Sequence, residues 1–143
     1  MRLRRSRLEE FFHKKMTVKK DKEGSTSEEY GAASSVTGES WPASGEVQVE
    51  QYGQKLNYIR NIRIQGNYKI QTDGKSRLHY ILEDGTDIEE RDGICLYVAA
   101  DQLPDYRIIS IKPYRFLTIE VEKILLLKHL KRRSLISKVH LAT

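Results

Sequence analysis

The sequence predicts a mainly β protein: a small β-barrel with a long inserted loop, flanked by a candidate N-terminal helix and a basic C-terminal helix or tail. Three observations predict it. Apolar and polar residues alternate with period two from Tyr58 to Ile70 and again from Leu117 to Val121, the pattern of strands with one buried face. Turn pairs Asp73-Gly74, Asp84-Gly85 and Asp92-Gly93, and the turn "DQLPD", separate the apolar runs. The runs are short and evenly spaced, about six or seven of them, as a barrel or small sandwich requires.

The chain has 143 residues, which fits one domain with extensions. Its 38% hydrophobic and 31% charged content leaves room for loops and tails around a real core. It divides into a basic N-terminal arm or short helix (1–15), a barrel domain (16–124) with a long loop at about 39–58, and a basic helix or tail (125–143).

The elements follow in order. In "MRLRRSRLEEFFHKK", Leu8, Phe11 and Phe12 fall near one helical face; a basic arm that orders only on a partner fits equally well. Met16 and Val18 alternate with Thr17 and Lys19, a first strand. Asp21 to Ser40 is Gly, Ser, Thr and Glu with almost no large apolar residue, and reads as a loop with room for a short strand at 32–36. Trp41-Pro42 and Gly45 introduce "EVQVEQYGQKL", which suits one or two helical turns or a strand leaving the sheet. Tyr58, Ile62, Ile64, Tyr68 and Ile70 then share one strand face, with Arg60 the exception and Gly66 a bend. Asp73-Gly74 joins this run to Leu78, Tyr80 and Leu82 as a hairpin. "TDIEER" is a charged loop and "GICLYVAA" a short apolar strand. "YRIISI" and "FLTIEVEKI" form a closing hairpin around "KPYR", in whose second arm Leu117, Ile119 and Val121 alternate with Thr118, Glu120 and Glu122. Beyond Ile124, Leu126, Leu127, Leu130, Ser134 and Ile136 recur at roughly helical spacing among basic residues.

Charge is segregated. Residues 1–20 hold eight Lys/Arg and two Glu; residues 21–123 hold twelve Lys/Arg and eighteen Asp/Glu; residues 124–143 hold five Lys/Arg and no acid. A uniformly basic nucleic-acid binder is not built this way. An acidic body with basic ends suits contact between copies, or one end reaching a polyanion. Arg2, Arg4, Arg5, Lys131, Arg132 and Arg133 are the channel or polyanion contacts this reading names, and Asp87, Glu89 and Glu90 the acidic partner contacts. No apolar run approaches a membrane span and no apolar signal core follows the basic start, so neither membrane insertion nor secretion is expected.

Chemistry is weakly signalled. The lone Cys95 lies in an apolar run and excludes a disulfide framework; a small buried hydrophobe is its default role. None of His13, His79, His129 and His140 sits at a metal or catalytic spacing, and His79 reads as a solvent-facing strand residue. The acidic run Asp84 to Asp92 lacks calcium-loop spacing and reads as a solvated turn. Phosphate loops and hydrolase motifs are absent from the sequence. No enzyme activity, cofactor or metal is expected. The rival reading is a stand-alone nucleic-acid-binding barrel, with tyrosines stacking bases; a small enzyme using Cys95 or the acidic turn is the third.

The order of elements resembles the head-closure (stopper) or head–tail connector proteins of long-tailed bacteriophages. "KKMTVKKDKEGSTSEEYGAASSVTGESWPASGEVQVEQYGQKL", "RNIRIQG", "GICLYV" and "YRIISIKPYRFLTIEVEKI" carry the resemblance, which covers residues 14–124. It implies a loop around Tyr30-Gly31, a departing loop from Ser44 to Leu56, and a barrel that assembles in a twelvefold ring. That ring sits against portal, adaptor and tail-side proteins and closes the DNA-filled head. It implies a virion location, with host cytoplasm during assembly, and DNA contact without sequence preference. On this reading Trp41, Tyr52 and Tyr58 anchor the inserted loop as ring-interface candidates, and Arg60 reaches a neighbour or the loop rather than the core.

Overall fold

A computed structural model describes residues 7–124. Its nine strands are β1 (Glu9–Lys20), β2 (Thr26–Pro42), β3 (Ile59–Ile64), β4 (Tyr68–Thr72), β5 (Leu78–Leu82), β6 (Asp87–Ile88), β7 (Gly93–Cys95), β8 (Tyr106–Pro113) and β9 (Leu117–Lys123). One helix, α1 (Glu46–Tyr52), continues into a 3-10 segment, Gly53–Tyr58. Six strands close an antiparallel barrel in the order β1-β2-β3-β9-β8-β7, and β4-β5-β6 form a separate three-stranded sheet.

The closing hairpin forms as its pattern requires. β8 pairs with β9 from Tyr106↔Lys123 to Pro113↔Leu117. Leu117, Ile119 and Val121 are fully buried, each removing enough apolar area from water to contribute roughly 1.5–3 kcal/mol. Phe11, Val36, Ile62, Ile64, Ile94 and Ile108 complete the interior, and Tyr80 and Ile88 join it from the small sheet.

Several expectations are corrected. Glu9–Lys20 is a strand, not part of an N-terminal helix: it pairs with β2 from Glu9↔Gly38 to Lys20↔Thr26 and with β7 from Phe12↔Cys95 to Lys14↔Gly93. Helical spacing put Phe11 and Phe12 on one face; the strand turns Phe11 into the core and leaves Phe12 half-buried. The stretch read as a loop around Tyr30-Gly31 belongs to the 17-residue β2, because pairing along β1 satisfies the backbone groups on that side without help from apolar side chains. The inserted segment therefore starts after Pro42 rather than at Glu39. Tyr58 and Ile70 do not share the buried face of Ile62 and Ile64; they are 43% and 50% exposed, since the 3-10 segment and the bend at Gly66 (φ 105°) break the alternation at both ends.

The turns also differ in detail. Between β4 and β5 the left-handed residue is Ser76 (φ 63°), not Gly74; Asp73 Oδ1 accepts the N–H groups of Lys75 and Arg77 and holds the turn. At 92–93 there is no Asp-Gly turn. Arg91 takes the positive φ, Asp92 is buried, and Gly93 lies in β7 because a Cβ there would come within 2.4 Å of Pro104. The C-terminal helix or tail at 125–143 lies outside the described residues, as do Arg2, Arg4, Arg5, Lys131, Arg132 and Arg133.

Candidate functional site: a helix clasped on the barrel and a charged corner

The inserted segment lies on the outer face of β3 and β9. Its entry is fixed where the Ala43 N–H donates to Ile59 O at 3.1 Å. One turn on, α1 directs a polar residue, Gln48, at the barrel: it is the helix's only buried residue. Gln48 and Asn61 of β3 exchange amide hydrogen bonds, Nε2 to Oδ1 at 2.7 Å and Nδ2 to Oε1 at 3.2 Å. Gln48 Nε2 also donates to Glu120 Oε2 at 2.5 Å, and the Tyr52 hydroxyl donates to Glu120 Oε1 at 2.8 Å. Lys112 Nζ on β8 lies 3.3 Å from Glu120 Oε2.

Glu120 is fully buried, although strand alternation places it on the outer face; α1 is what covers it. Burial alone would raise its carboxyl pKa, but the donors Gln48, Tyr52 and Lys112 outweigh that and hold it below the usual range. The Tyr52 hydroxyl is pushed well up, first by burial and then by its bond to the Glu120 carboxylate. The clasp therefore works with Glu120 ionised and Tyr52 protonated.

The exposed surface of α1 is mixed: Glu46, Val47, Val49, Glu50 and Gln51 all face solvent. Val47 is 71% exposed and Val49 49%. A surface helix ordinarily buries its apolar stripe; this one buries a glutamine and presents valines. Among the anticipated interface residues, Tyr52 ties the segment to the barrel and Tyr58 stands exposed at its end. Trp41 lies in β2 with the Arg63 guanidinium 4.9 Å over its ring. Arg60 avoids the core: its Nη2 donates to Ser40 Oγ at 3.0 Å, and its guanidinium carbon is 6.0 Å from the Tyr97 ring. Gln48, Asn61 and Glu120 were missed from sequence. The available signal was slight: a glutamine on the inserted segment, and two polar residues on strands that carry others, Arg60 and Arg63 in β3 and Thr118 and Glu122 in β9.

A second cluster joins β1 to the small sheet. His13 Nε2 lies 2.7 Å from Asp92 Oδ2, both side chains being 2% exposed. Asp92 also accepts the N–H groups of Met16 and Glu89. The acidic run is thus not a solvated turn as a whole. Lys15 Nζ reaches Glu89 at 2.8 Å and Asp87 and Asp92 at 3.4 Å. Burial disfavours the Lys15 charge, but these carboxylates outweigh it and raise its pKa. Asp87 and Glu89 are consequently engaged within the chain, and only Glu90 of the three acidic contact candidates is exposed.

His79 is half-buried, not solvent-facing. Its Nε2 faces Asp73 Oδ2 at 2.9 Å and its Nδ1 faces Asp87 Oδ2 at 2.9 Å. Bonds to Asp73 and then Asp87 raise its pKa, while Asp73, bonded first to His79, falls to about 2. Asp73, His79 and Glu89 place one ligand atom each within 4.8 Å of one another, a set that could accept a metal ion, but Lys15 and Arg77 already supply cations to Glu89. Because the His79 pKa is raised on folding, its contribution is complete below its ordinary value of 6.5 and is lost as pH rises through the folded value. Histidine NMR titration is expected to place His79 above 6.5, and Asp73→Asn to lower it.

Cys95 is buried in β7, and burial raises its thiol pKa, the opposite of an activated nucleophile. Among the described residues no helix is long and apolar enough to cross a membrane. No family profile matches the chain, and neither a curated protein nor a solved structure matches it closely enough to be called similar.

Proposed function

We propose that the chain is a structural virion protein, one subunit of a ring in the head–tail connector of a long-tailed bacteriophage, closing the DNA-filled head and joining it to the tail. The observation that carries the reading is the exposure of three large apolar residues on the inserted segment. Val47, Val49 and Tyr58 are exposed on an element whose helical turn is clasped to the barrel through Gln48 and Tyr52. Exposed apolar groups gathered on one held element suit a contact surface. In a ring, the barrel is the frame and residues 43–58 meet the neighbouring copy or the channel. The acidic body and basic ends support side-by-side packing, since a closed ring needs two different, complementary flanks. On this reading the chain has no catalytic role and no cofactor, and its partners are its own copies, portal or adaptor, tail-side proteins and packaged DNA.

The second reading is a barrel that binds nucleic acid alone. Tyr97, 65% exposed, beside Arg60 and Tyr106, is the feature that favours it, as a stacking platform. A salt-titrated DNA-binding assay separates the two. The stand-alone binder loses affinity steeply with salt, does so without assembling, and weakens on Tyr97→Ala. The connector subunit binds DNA weakly by itself, and Tyr97→Ala leaves that binding unchanged.

A further inference from the structure

We propose that the open edge of β2 at Ala33–Val36 accepts an added strand, and that the strand is the chain's own basic C-terminal segment, residues 125–143. The inference stands apart from the connector reading and does not need it.

The barrel is incompletely paired at this point. β3 pairs with β2 only from Gly38 to Pro42, and the chain then turns away at Gly66 towards the small sheet. On its other side, β2 runs in regular register with β1, Ala33↔Lys14 to Thr37↔Glu10. Every second residue of an antiparallel strand turns its N–H and C=O away from its partner. From Ala33 to Val36 those groups meet no strand among the described residues, and Thr37 O alone is taken, by Gln65 N at 2.9 Å. Natural edges are guarded by charge, proline or a bulge. Ala33-Ser34-Ser35-Val36 has no charge and no proline, and the bulge in this hairpin lies before it, between the Lys14 and Met16 pairings.

The edge opens into a slot of about 310 Å³ between Ser35–Thr37 on one wall and Gln65–Asn67 with Leu82–Asp84 on the other. That volume suits a few residues of extended chain. Two features of the slot specify what enters. Gln65 Oε1, shielded from solvent, has no hydrogen-bond partner, so it calls for a donor. Glu83 and Asp84 on the far wall accept backbone N–H groups but meet no Lys or Arg among the described residues, so the rim is acidic and uncompensated.

Residues 125–143 match this chemistry. They carry Lys128, Lys131, Arg132, Arg133 and Lys138 and no acid. Val139 and Leu141 alternate with Lys138 and His140, the pattern of a strand with one covered face. Nineteen residues in extended form reach up to about 60 Å, enough to run from Ile124 to the slot on the same or a neighbouring copy. An incoming strand would gain main-chain hydrogen bonds from β2 and fix its register through its charges.

Hydrogen exchange on the full chain, read residue by residue, tests this. The comparison is with Lys131→Glu/Arg132→Glu/Arg133→Glu, a variant that alters nothing in the barrel. The expected result is that the outward-facing amides within Ala33–Val36 exchange at least about tenfold faster in the variant, while Ile119 is unchanged. Adding 0.5 M salt to the natural chain should move those amides in the same direction. Equal exchange of Ala33–Val36 in the two chains overturns the proposal. So does protection that persists in the variant and grows with protein concentration, because the occupant would then be another copy's own edge.

Discussion

Glu120→Ala is expected to loosen the inserted segment and to destabilise the fold by about 3 kcal/mol, the cost typical of removing one partner from a buried ionic network. The substitution leaves Gln48 Nε2, the Tyr52 hydroxyl and the Lys112 ammonium without their common acceptor, on a barrel face that α1 still covers. Two readouts are informative together. Denaturant unfolding should show the lower stability, and hydrogen exchange should show faster opening of Ala43–Tyr58 than of the barrel strands. Glu120→Gln keeps the volume but offers a weaker acceptor and should fall between the two. Sign matters for pH. Because the folded carboxyl pKa is depressed, the Glu120 contribution is present above its ordinary value of 4.5 and is lost as pH falls through the folded value. Protection of the segment should therefore persist at pH 5 and fail under stronger acid. Unchanged exchange in Glu120→Ala would show that the helix rests on something other than this clasp.

Asp92→Ala is expected to cost more, roughly 3–5 kcal/mol, and to lower the melting temperature by roughly 10 °C. Asp92 is the shared acceptor for buried His13 and for the N–H groups of Met16 and Glu89, so it joins β1 to the chain between β6 and β7. Removing it leaves three donors without their acceptor, and the His13 ring among them is fully buried. Asp92→Asn retains one acceptor oxygen and should recover part of the loss. Calorimetry of the three proteins checks the order: natural chain, then Asn, then Ala.

The fold was legible where side chains alone dictate it. The β8–β9 hairpin carries Leu117, Ile119 and Val121 at period two, and the structure buries all three. The barrel follows from such runs and their spacing. β2 was legible only as room for a short strand at 32–36, because Thr26 to Ser40 has few large apolar side chains and no alternation; its full length is imposed by pairing along β1, a long-range effect. The N-terminal residues misled for a related reason: Leu8, Phe11 and Phe12 fit a helical face, and only the partner β2 decides for a strand. The clasp was hidden because its members lie far apart. Gln48 and Glu120 are 72 positions apart, and each reads locally as an outward polar residue. The same holds for His13 and Asp92, 79 positions apart. Of the interface residues read from sequence and resemblance, Tyr52 is the one the clasp includes. The valines at 47 and 49 gave no warning, since exposure of an apolar residue depends on which helix face the clasp selects.

The most direct test of the central claim, that the outward face of the inserted segment is an assembly surface, is co-sedimentation with a portal–adaptor complex of a long-tailed phage. It compares the natural chain with Val47→Glu/Val49→Glu. Both valines are exposed, so the variant should unfold at the same temperature as the natural chain. The account predicts that the natural chain sediments with the complex as a ring and that the variant stays in the supernatant. A natural chain that fails to associate, or a variant that associates as well as the natural chain, would contradict it.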